Sequence, residues 1–183
     1  MGYRVSWMAR RGSSTQELLE ATGTTVTGQR DEFPDVGFYL LEINGDAQGS
    51  WAILIADGSE NFGALTGGDA QALSSDGAET LYFSCSDTTM TTELSCYRAG
   101  RRIWGIDYDP DEGCVEFEGA MPQVAEQIRA DLEARQDAAD EANDSADHIY
   151  ELTAEVGRAL TGFRHDRTLD CAESTPFQVL SLD

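Results

Sequence analysis

Short segments in which apolar and polar residues alternate follow one another between residues 81 and 117. A two-residue period is typical of strands with one buried face, whereas a helix has a period near 3.6 residues. Ala99-Gly100-Arg101 separates two of these segments and has the composition of a turn. The pattern therefore predicts an antiparallel meander with strands at 81–85, 94–97, 104–108 and 115–117.

Other segments are predicted to complete the sheet. Residues 51–56 are apolar at every position, which indicates a central strand that is covered on both faces. Residues 4–9 and 38–43 are predicted strands as well, and Asn44-Gly45 has the composition of a turn. Residues 177–180 alternate enough to add a strand at one edge of the sheet.

Helical patterns lie between and after these strands. Ser14-Thr15-Gln16-Glu17 matches a capping box, and the short helix that it begins is expected to end at Gly23. Residues 59–76 are glycine-rich and are expected to form a loop holding a short helix. Pro122 marks the start of a long helix, and Gly162 marks the end of a second one. The apolar stripes expected to face the sheet are Val124, Ile128 and Leu132 in one helix and Ile149, Leu152, Val156 and Leu160 in the other.

The predicted fold is α+β, a single domain with a mostly antiparallel sheet and a C-terminal helical pair packed on one face. We expect the helix after the first strand to cover that same face. The predicted organisation of the single domain 1–183 is a sheet-rich part at 1–120, a helical arm at 121–163 with an acidic linker at 136–147, and a tail at 164–183.

Charge restricts the partners of the chain. It has 34 Asp and Glu residues against 12 arginines and no lysine, so its formal charge is −22. Such a surface repels nucleic-acid phosphates and anionic membranes and attracts basic proteins. Sixteen of the acidic residues, with only two arginines, lie at 107–155. The residues predicted to bind a partner are Asp137, Asp140, Glu141, Asp144, Asp147 and Glu151.

Three explanations of this acidity stay open. The leading one is a non-catalytic binding protein that engages a basic partner, as an immunity protein or a nucleic-acid mimic does. The second is a generic cytoplasmic protein with a salt-adapted surface, in which arginine also replaces lysine through codon usage. The third is a divalent-metal-binding module or an enzyme. A specific binder concentrates its carboxylates on one face, whereas salt adaptation spreads them over the whole surface.

The acid spacing at 107–118 resembles a calcium loop. Asp107, Asp109, Asp111 and Glu118 occupy positions 1, 3, 5 and 12 of that rhythm, in which carboxylate oxygens bind Ca²⁺. Gly113 lies one position later than such a loop requires, and the flanking segments are predicted strands. The alternative is a hairpin connection in which 109–111 turn the chain. Calcium is the one cofactor that the sequence predicts, as a minority hypothesis.

No established catalytic motif is present in the sequence. A histidine-dependent site would have to use His148 or His165, and His165 is expected instead to cap a helix C-terminus together with Arg164. The arginines at 10–11 and at 98, 101 and 102 are expected to pair with carboxylates of the chain itself, with an anion clamp as the alternative. Widely spaced cysteines and the absence of a secretion signal predict reduced thiols in the cytoplasm.

Three segments carry a resemblance to other proteins. They are YRVSWMA at 3–9 with Arg11-Gly12 after it, GRRIWGID at 100–107 and LTGFRHD at 160–166. In this order they resemble a group of small bacterial α+β proteins that carry no assigned function. The resemblance implies a bacterial, non-secreted setting and supplies no catalytic residues. Ser86-Asp87-Thr88-Thr89 departs from that group, which often has acidic and histidine residues there.

Overall fold

The computed structural model of the chain describes residues 2–12, 15–44, 49–111, 114–169 and 173–182. Within these ranges the chain forms nine strands and four α-helices. The strands are β1 (Arg4–Arg11), β2 (Thr24–Asp31), β3 (Gly37–Ile43), β4 (Trp51–Asp57), β5 (Thr80–Ser86), β6 (Thr91–Arg98), β7 (Arg101–Asp109), β8 (Cys114–Gly119) and β9 (Phe177–Leu182). The helices are α1 (Thr15–Thr22), α2 (Gly67–Leu73), α3 (Gln123–Glu141) and α4 (Leu152–Thr161).

All nine strands join one antiparallel sheet in the order β2-β9-β3-β4-β1-β5-β6-β7-β8. The predicted α+β class, the meander β5 to β8 and the central place of β4 are therefore confirmed. The prediction that the tail strand forms an edge is wrong, because β9 lies between β2 and β3. The edge on that side is β2, which could not be predicted from the sequence because every residue after Thr24 is exposed and no apolar alternation marks it.

The sheet separates two hydrophobic cores, because its central strands carry apolar side chains on both faces. Trp7 belongs to the core under α3 and α4, whereas Met8, its neighbour on β1, belongs to the core under α1 and α2. The C-terminal helical pair covers one face, as predicted. The expectation that α1 shares that face is wrong, since Leu18 and Leu19 pack on the opposite side with Met8.

A buried arginine fastens α1 to the sheet. Arg10 of β1 is 4% exposed and pairs with Glu17 of α1 at 2.8 Å and with Asp76 of the 3₁₀ turn that follows α2. A buried guanidinium without carboxylate partners would cost several kcal/mol. These two carboxylates therefore hold the second helical layer in place.

Aromatic rings form the centre of the hydrophobic core under α3 and α4. The Trp7 ring stacks on Phe83 with centroids 5.1 Å apart, and its edge meets Phe163, which follows α4. Gly157 lets α4 approach this ring, since a Cβ there would lie 3.1 Å from Trp7. As predicted, α4 ends at Gly162, which has φ +83°. No helix among the described residues is long and apolar enough to cross a membrane.

The helix α3 continues further than expected. Pro122 is its N-cap, as predicted, but the helix runs to Glu141, so the expected linker at 136–147 is helical over its first half. The inner stripe of α3 also differs by one position from the prediction. Ala125, Leu132 and Ala139 are the buried residues of α3, with Ile128 partly buried, and Val124 lies beside that stripe.

Gly100 and Gly119, which lie beside β7, have positive φ angles but different surroundings. Gly100 (φ +69°) lies in the β6–β7 turn with open space around it, whereas a Cβ on Gly119 (φ +74°) would lie 2.1 Å from the carbonyl oxygen of Ile103. Gly119 therefore lets the end of β8 reach β7.

We predict that Gly119→Ala destabilises the protein more than Gly100→Ala. The left-handed conformation costs alanine about 1 kcal/mol at either position, and the backbone clash at Gly119 raises the cost to about 3 kcal/mol. Free energies of unfolding from urea titration measure both values. Equal losses would show that β8 does not depend on the close approach at Gly119.

Candidate functional site

A cleft of about 470 Å³ lies between α3 and the last hairpin. The carboxyl half of α3 forms one wall, and β7 and β8 form the other. The start of the last helical segment closes its floor. The lining residues are Tyr108, Val115, Phe117, Arg129, Glu133, Gln136, Asp137, Asp147, Ile149 and Leu152.

The cleft combines an apolar floor with an acidic rim. Leu152 is buried and Ile149 and Val115 are partly buried, while the Phe117 ring is 38% exposed. Around them stand the carboxylates of Glu133, Asp137 and Asp147, all on exposed residues. Such a surface accommodates a side chain with an aliphatic stem and a cationic end, as lysine and arginine have.

One guanidinium of the chain itself already lies at this rim. Arg129 stacks over the Phe117 ring at 4.8 Å from its centroid, and its Nε donates to Glu133 at 2.6 Å. A cation over an aromatic face and beside a carboxylate gains from both contacts. The arrangement shows which chemistry the rim of the cleft favours.

The loop after α3 is fastened to the cleft by side-chain hydrogen bonds. Gln136 donates to the Ala146 carbonyl at 3.2 Å and accepts from the His148 backbone at 2.8 Å. Asp147 accepts from the Tyr108 hydroxyl at 2.5 Å, and burial together with this carboxylate raises the pKa of Tyr108 to about 12. The acid at position 147 is therefore held in a defined place.

The six acids predicted to bind a partner do not form one group. Asp137 and Asp147 line the cleft, and Glu141 is exposed at the end of α3. Asp140 accepts from Gln136, and Asp144 accepts from the backbone of Ala146. Glu151 pairs with Arg164 at 3.3 Å. Tyr108 and Phe117 could not be assigned to the site from the sequence, because they reach Asp147 and Arg129 only through long-range contacts.

The acids near the end of α3 oppose the helix dipole. Asp140 and Glu141 lie in the last turn, which contains no basic residue, and Asp137 lies one turn earlier. Each carboxylate at a helix C-terminus costs about 0.3–1 kcal/mol relative to a neutral residue. A cation bound beside these acids would relieve that cost.

A second acidic surface lies on the opposite face of the same strands. Glu93, Asp107 and Glu116 are register neighbours on β6, β7 and β8, in a shallow depression of about 330 Å³. Burial raises the pKa of Glu93, and the neighbouring Asp107 adds to the rise. Like charges directly across strands destabilise a sheet, so this row is also a place where a cation would stabilise the fold.

Arg102 fills part of this surface, and its position bears on the predicted metal ligands. Its guanidinium pairs with Asp107 at 2.7 Å and with Glu118 at 2.9 Å. It lies directly over Gly105, where a Cβ would clash with it. Asp109 accepts instead from the backbone of Asp111. Among the described residues, no three His, Cys, Asp or Glu side chains form a group that could hold a metal ion. Glu112 and Gly113 lie outside them, and calcium binding stays a prediction.

Of the five arginines expected to pair with carboxylates of the chain, Arg10, Arg11, Arg98 and Arg102 do so, and Arg101 makes no ion pair among the described residues. Glu79 binds both Arg11 and Arg98, at 3.1 and 2.5 Å. Arg164 pairs with Glu155 at 2.5 Å and with Asp166 at 2.6 Å. The expectation that Arg164 and His165 cap α4 is wrong, because Arg164 bonds to these acids and His165 turns toward the sheet.

His165 lies in an aromatic cage beside a small polar network. Its ring centroid is 5.2 Å from that of Tyr3 and 5.3 Å from that of Phe83, and its Nδ1 is buried without a hydrogen-bond partner among the described residues. Nearby, the Tyr150 hydroxyl donates to Asp87 at 2.7 Å and lies 3.3 Å from Cys85 Sγ.

The cysteine of this network is a buried core residue and not a reactive thiol. Burial raises the pKa of the Cys85 thiol to about 12, so the thiol is protonated at neutral pH. Burial acts to raise the pKa of Asp87 as well. The net change is nevertheless downward, because hydrogen bonds from Tyr150 and from the backbone of Tyr3 stabilise the carboxylate. Cys85 and Cys96 are buried free thiols, while Cys171 lies outside the described residues. A protonated, buried thiol is a poor nucleophile.

Comparisons with known proteins add no constraint to these features. No family model, no curated protein and no solved structure matches the chain. The resemblance to small bacterial proteins therefore stays a prediction, and the function has to be argued from the geometry of the chain itself.

We predict that His165 makes the protein acid-sensitive. Burial lowers its pKa to about 4, from 6.5 in a free side chain. Between these two pH values the unfolded chain binds a proton at this histidine, whereas the folded protein does not. Stability is therefore lost as the pH falls from 6.5 to 4, by about 3 kcal/mol. The nearby Asp87 and Asp166 oppose this shift, and Arg164 adds to it.

The test compares urea unfolding of the parent protein, His165→Phe and His148→Gln at pH 7 and 4.5. Only His165→Phe should reduce the loss of stability in acid. Asp57, whose pKa burial raises to about 6, contributes with the opposite sign, but equally in all three proteins. Parallel pH profiles for all three proteins would refute the role of His165.

Proposed function

We propose that this protein is a non-catalytic binding protein that holds a basic segment of another protein in the cleft between α3 and β8. The observation that carries the proposal is the apolar floor of the cleft under an acidic rim, with Arg129 stacked on Phe117 at that rim. An immunity protein or a nucleic-acid mimic would use such a surface to cover a basic site on its partner.

Shape supports this function more than total charge does. Exposed acids also lie on α1, in the β2–β3 connection and in the loop after β4, at Glu20, Glu32 and Glu60. Acidity alone therefore fits a salt-adapted protein as well. A general surface adaptation, however, gives no reason for an exposed Phe117 between carboxylates or for acids at the negative end of α3.

Binding of a basic segment would use three contributions at once. The aliphatic stem of an arginine or lysine would pack on Val115 and Ile149, and its charge would meet Asp137 or Asp147. The exposed part of Phe117, beside the ring face that Arg129 covers, would add apolar contact with that stem. The charge of −22 would speed association with a basic partner and repel nucleic acid.

The proposal predicts that charge reversal in the cleft weakens binding of a basic peptide far more than the same reversal elsewhere on α3. The probe is a short synthetic peptide of alternating arginine and valine, titrated by calorimetry at about 50 mM salt. Asp137→Lys should weaken it at least about tenfold, because it removes one rim carboxylate and adds a repelling charge.

The matched control is Asp131→Lys, which makes the same charge change on an exposed position of α3 that does not line the cleft. It should weaken binding by less than about threefold. Equal effects of the two reversals would support the salt-adapted surface instead. Absence of binding to the parent protein at low salt would overturn the proposed function.

A further inference from the structure

The strand β8, which forms one wall of the cleft, is an edge of the sheet. In the part of the chain that the structure describes it pairs with β7 alone. The pairing is regular from Cys114 opposite Asp109 to Gly119 opposite Trp104, with no shift of register. An edge of this kind presents a row of backbone N–H and C=O groups to which another strand can bind.

The other edge is built differently. β2 shifts its register against β9 between Val26 and Arg30, and Gly28 within this bulge has φ +83°. The Thr27 hydroxyl donates to the Val179 carbonyl at 2.8 Å and accepts from the Gln29 backbone at 3.1 Å. Bulges of this kind interrupt an edge and prevent further pairing. Of the two sheet edges that the described residues form, β8 is the uninterrupted one.

The cleft passes Val115 and Phe117 of β8. A smaller hollow of about 130 Å³ continues beyond Phe117 and Arg129, where Met121, Ala125 and Glu126 line it. Both hollows share Phe117 and Arg129, so together they form a groove between the edge strand and α3. A helix beside an edge strand is the arrangement in which extended peptides bind by strand addition.

Both faces of the β8 edge are acidic. On one face Asp137 stands across the cleft, beside the ion pair of Arg129 and Glu133. On the other face Glu116 projects from β8 itself, beside Glu118, which pairs with Arg102. Side chains of an added strand alternate between the two faces. Each set of side chains would therefore meet carboxylates.

From these observations we propose that the basic segment binds as an extended strand that pairs with β8. This inference rests on the proposed function and adds the conformation and register of the partner. Cationic side chains at alternate positions enter the groove toward Asp137, and cationic side chains at the positions between them reach Glu116 on the opposite face. A second copy of the chain is excluded as the occupant, since it would bring Glu116 and Glu118 of both copies together.

Strand addition has a signature that other modes of binding lack. Alternate backbone N–H groups of β8 point away from β7 and would become hydrogen-bonded to the partner. Amide exchange measured by NMR, with and without saturating arginine–valine peptide, reports this directly. The outward-facing amides among Val115, Glu116, Phe117 and Glu118 should exchange at least about tenfold more slowly, and those of β2 should not change.

Two matched comparisons complete the test. A peptide with the same charges but N-methylated at every residue should bind at least about tenfold more weakly, because it cannot donate backbone hydrogen bonds. For a peptide that carries arginine at the intervening positions as well, Glu116→Lys should weaken binding severalfold, whereas Glu60→Lys, an exposed reversal in the loop after β4, should not.

The outcomes separate the two proposals. If the peptide binds, Asp137→Lys weakens it and the β8 amides exchange as before, the partner lies in the groove without pairing and the strand inference is wrong. Equal affinity of the N-methylated peptide leads to the same conclusion. If no basic peptide binds, the proposed function itself fails.

Discussion

The central strands β1 and β4 are buried on both faces, and the layers of the molecule follow from this constraint. Each fully buried apolar side chain contributes about 1.5–3 kcal/mol, provided that something covers it. The pair α1 and α2 covers one face of these strands, and α3 with α4 covers the other. Neither pair fully covers the lateral strands β7 and β8, so their polar face and the groove beside α3 stay open.

The fold could largely be predicted from the sequence where a local pattern reflects burial. Alternation identified β5 to β8, and the wholly apolar segment 51–56 identified the centre of the sheet. β2 left no such pattern, since its exposed residues Thr25, Val26 and Arg30 pair only because β9 lies beside them. The side on which α1 packs was not predictable either, because β1 has apolar residues on both faces.

The candidate site was predictable only as a concentration of charge. The sequence placed Asp137 and Asp147 in an acidic segment, but it did not place Tyr108 or Phe117 beside them. The calcium-like spacing at 107–118 is visible locally in the sequence. Arg102 pairs with two of these acids, and it reaches them over Gly105, past a bulge of β7 at Ile103. The spacing of residues along the sequence does not show which side chains meet across a sheet.

The bulge in β2 has a consequence for assembly size. A sheet with two regular edges can accept strands at both ends, so that molecules and partners could continue into an open fibre. Here the sheet has one accepting end, because Gly28 and its neighbours turn the opposite edge away from pairing. Strand addition would thus be confined to the β8 end, with one partner strand paired directly to each molecule.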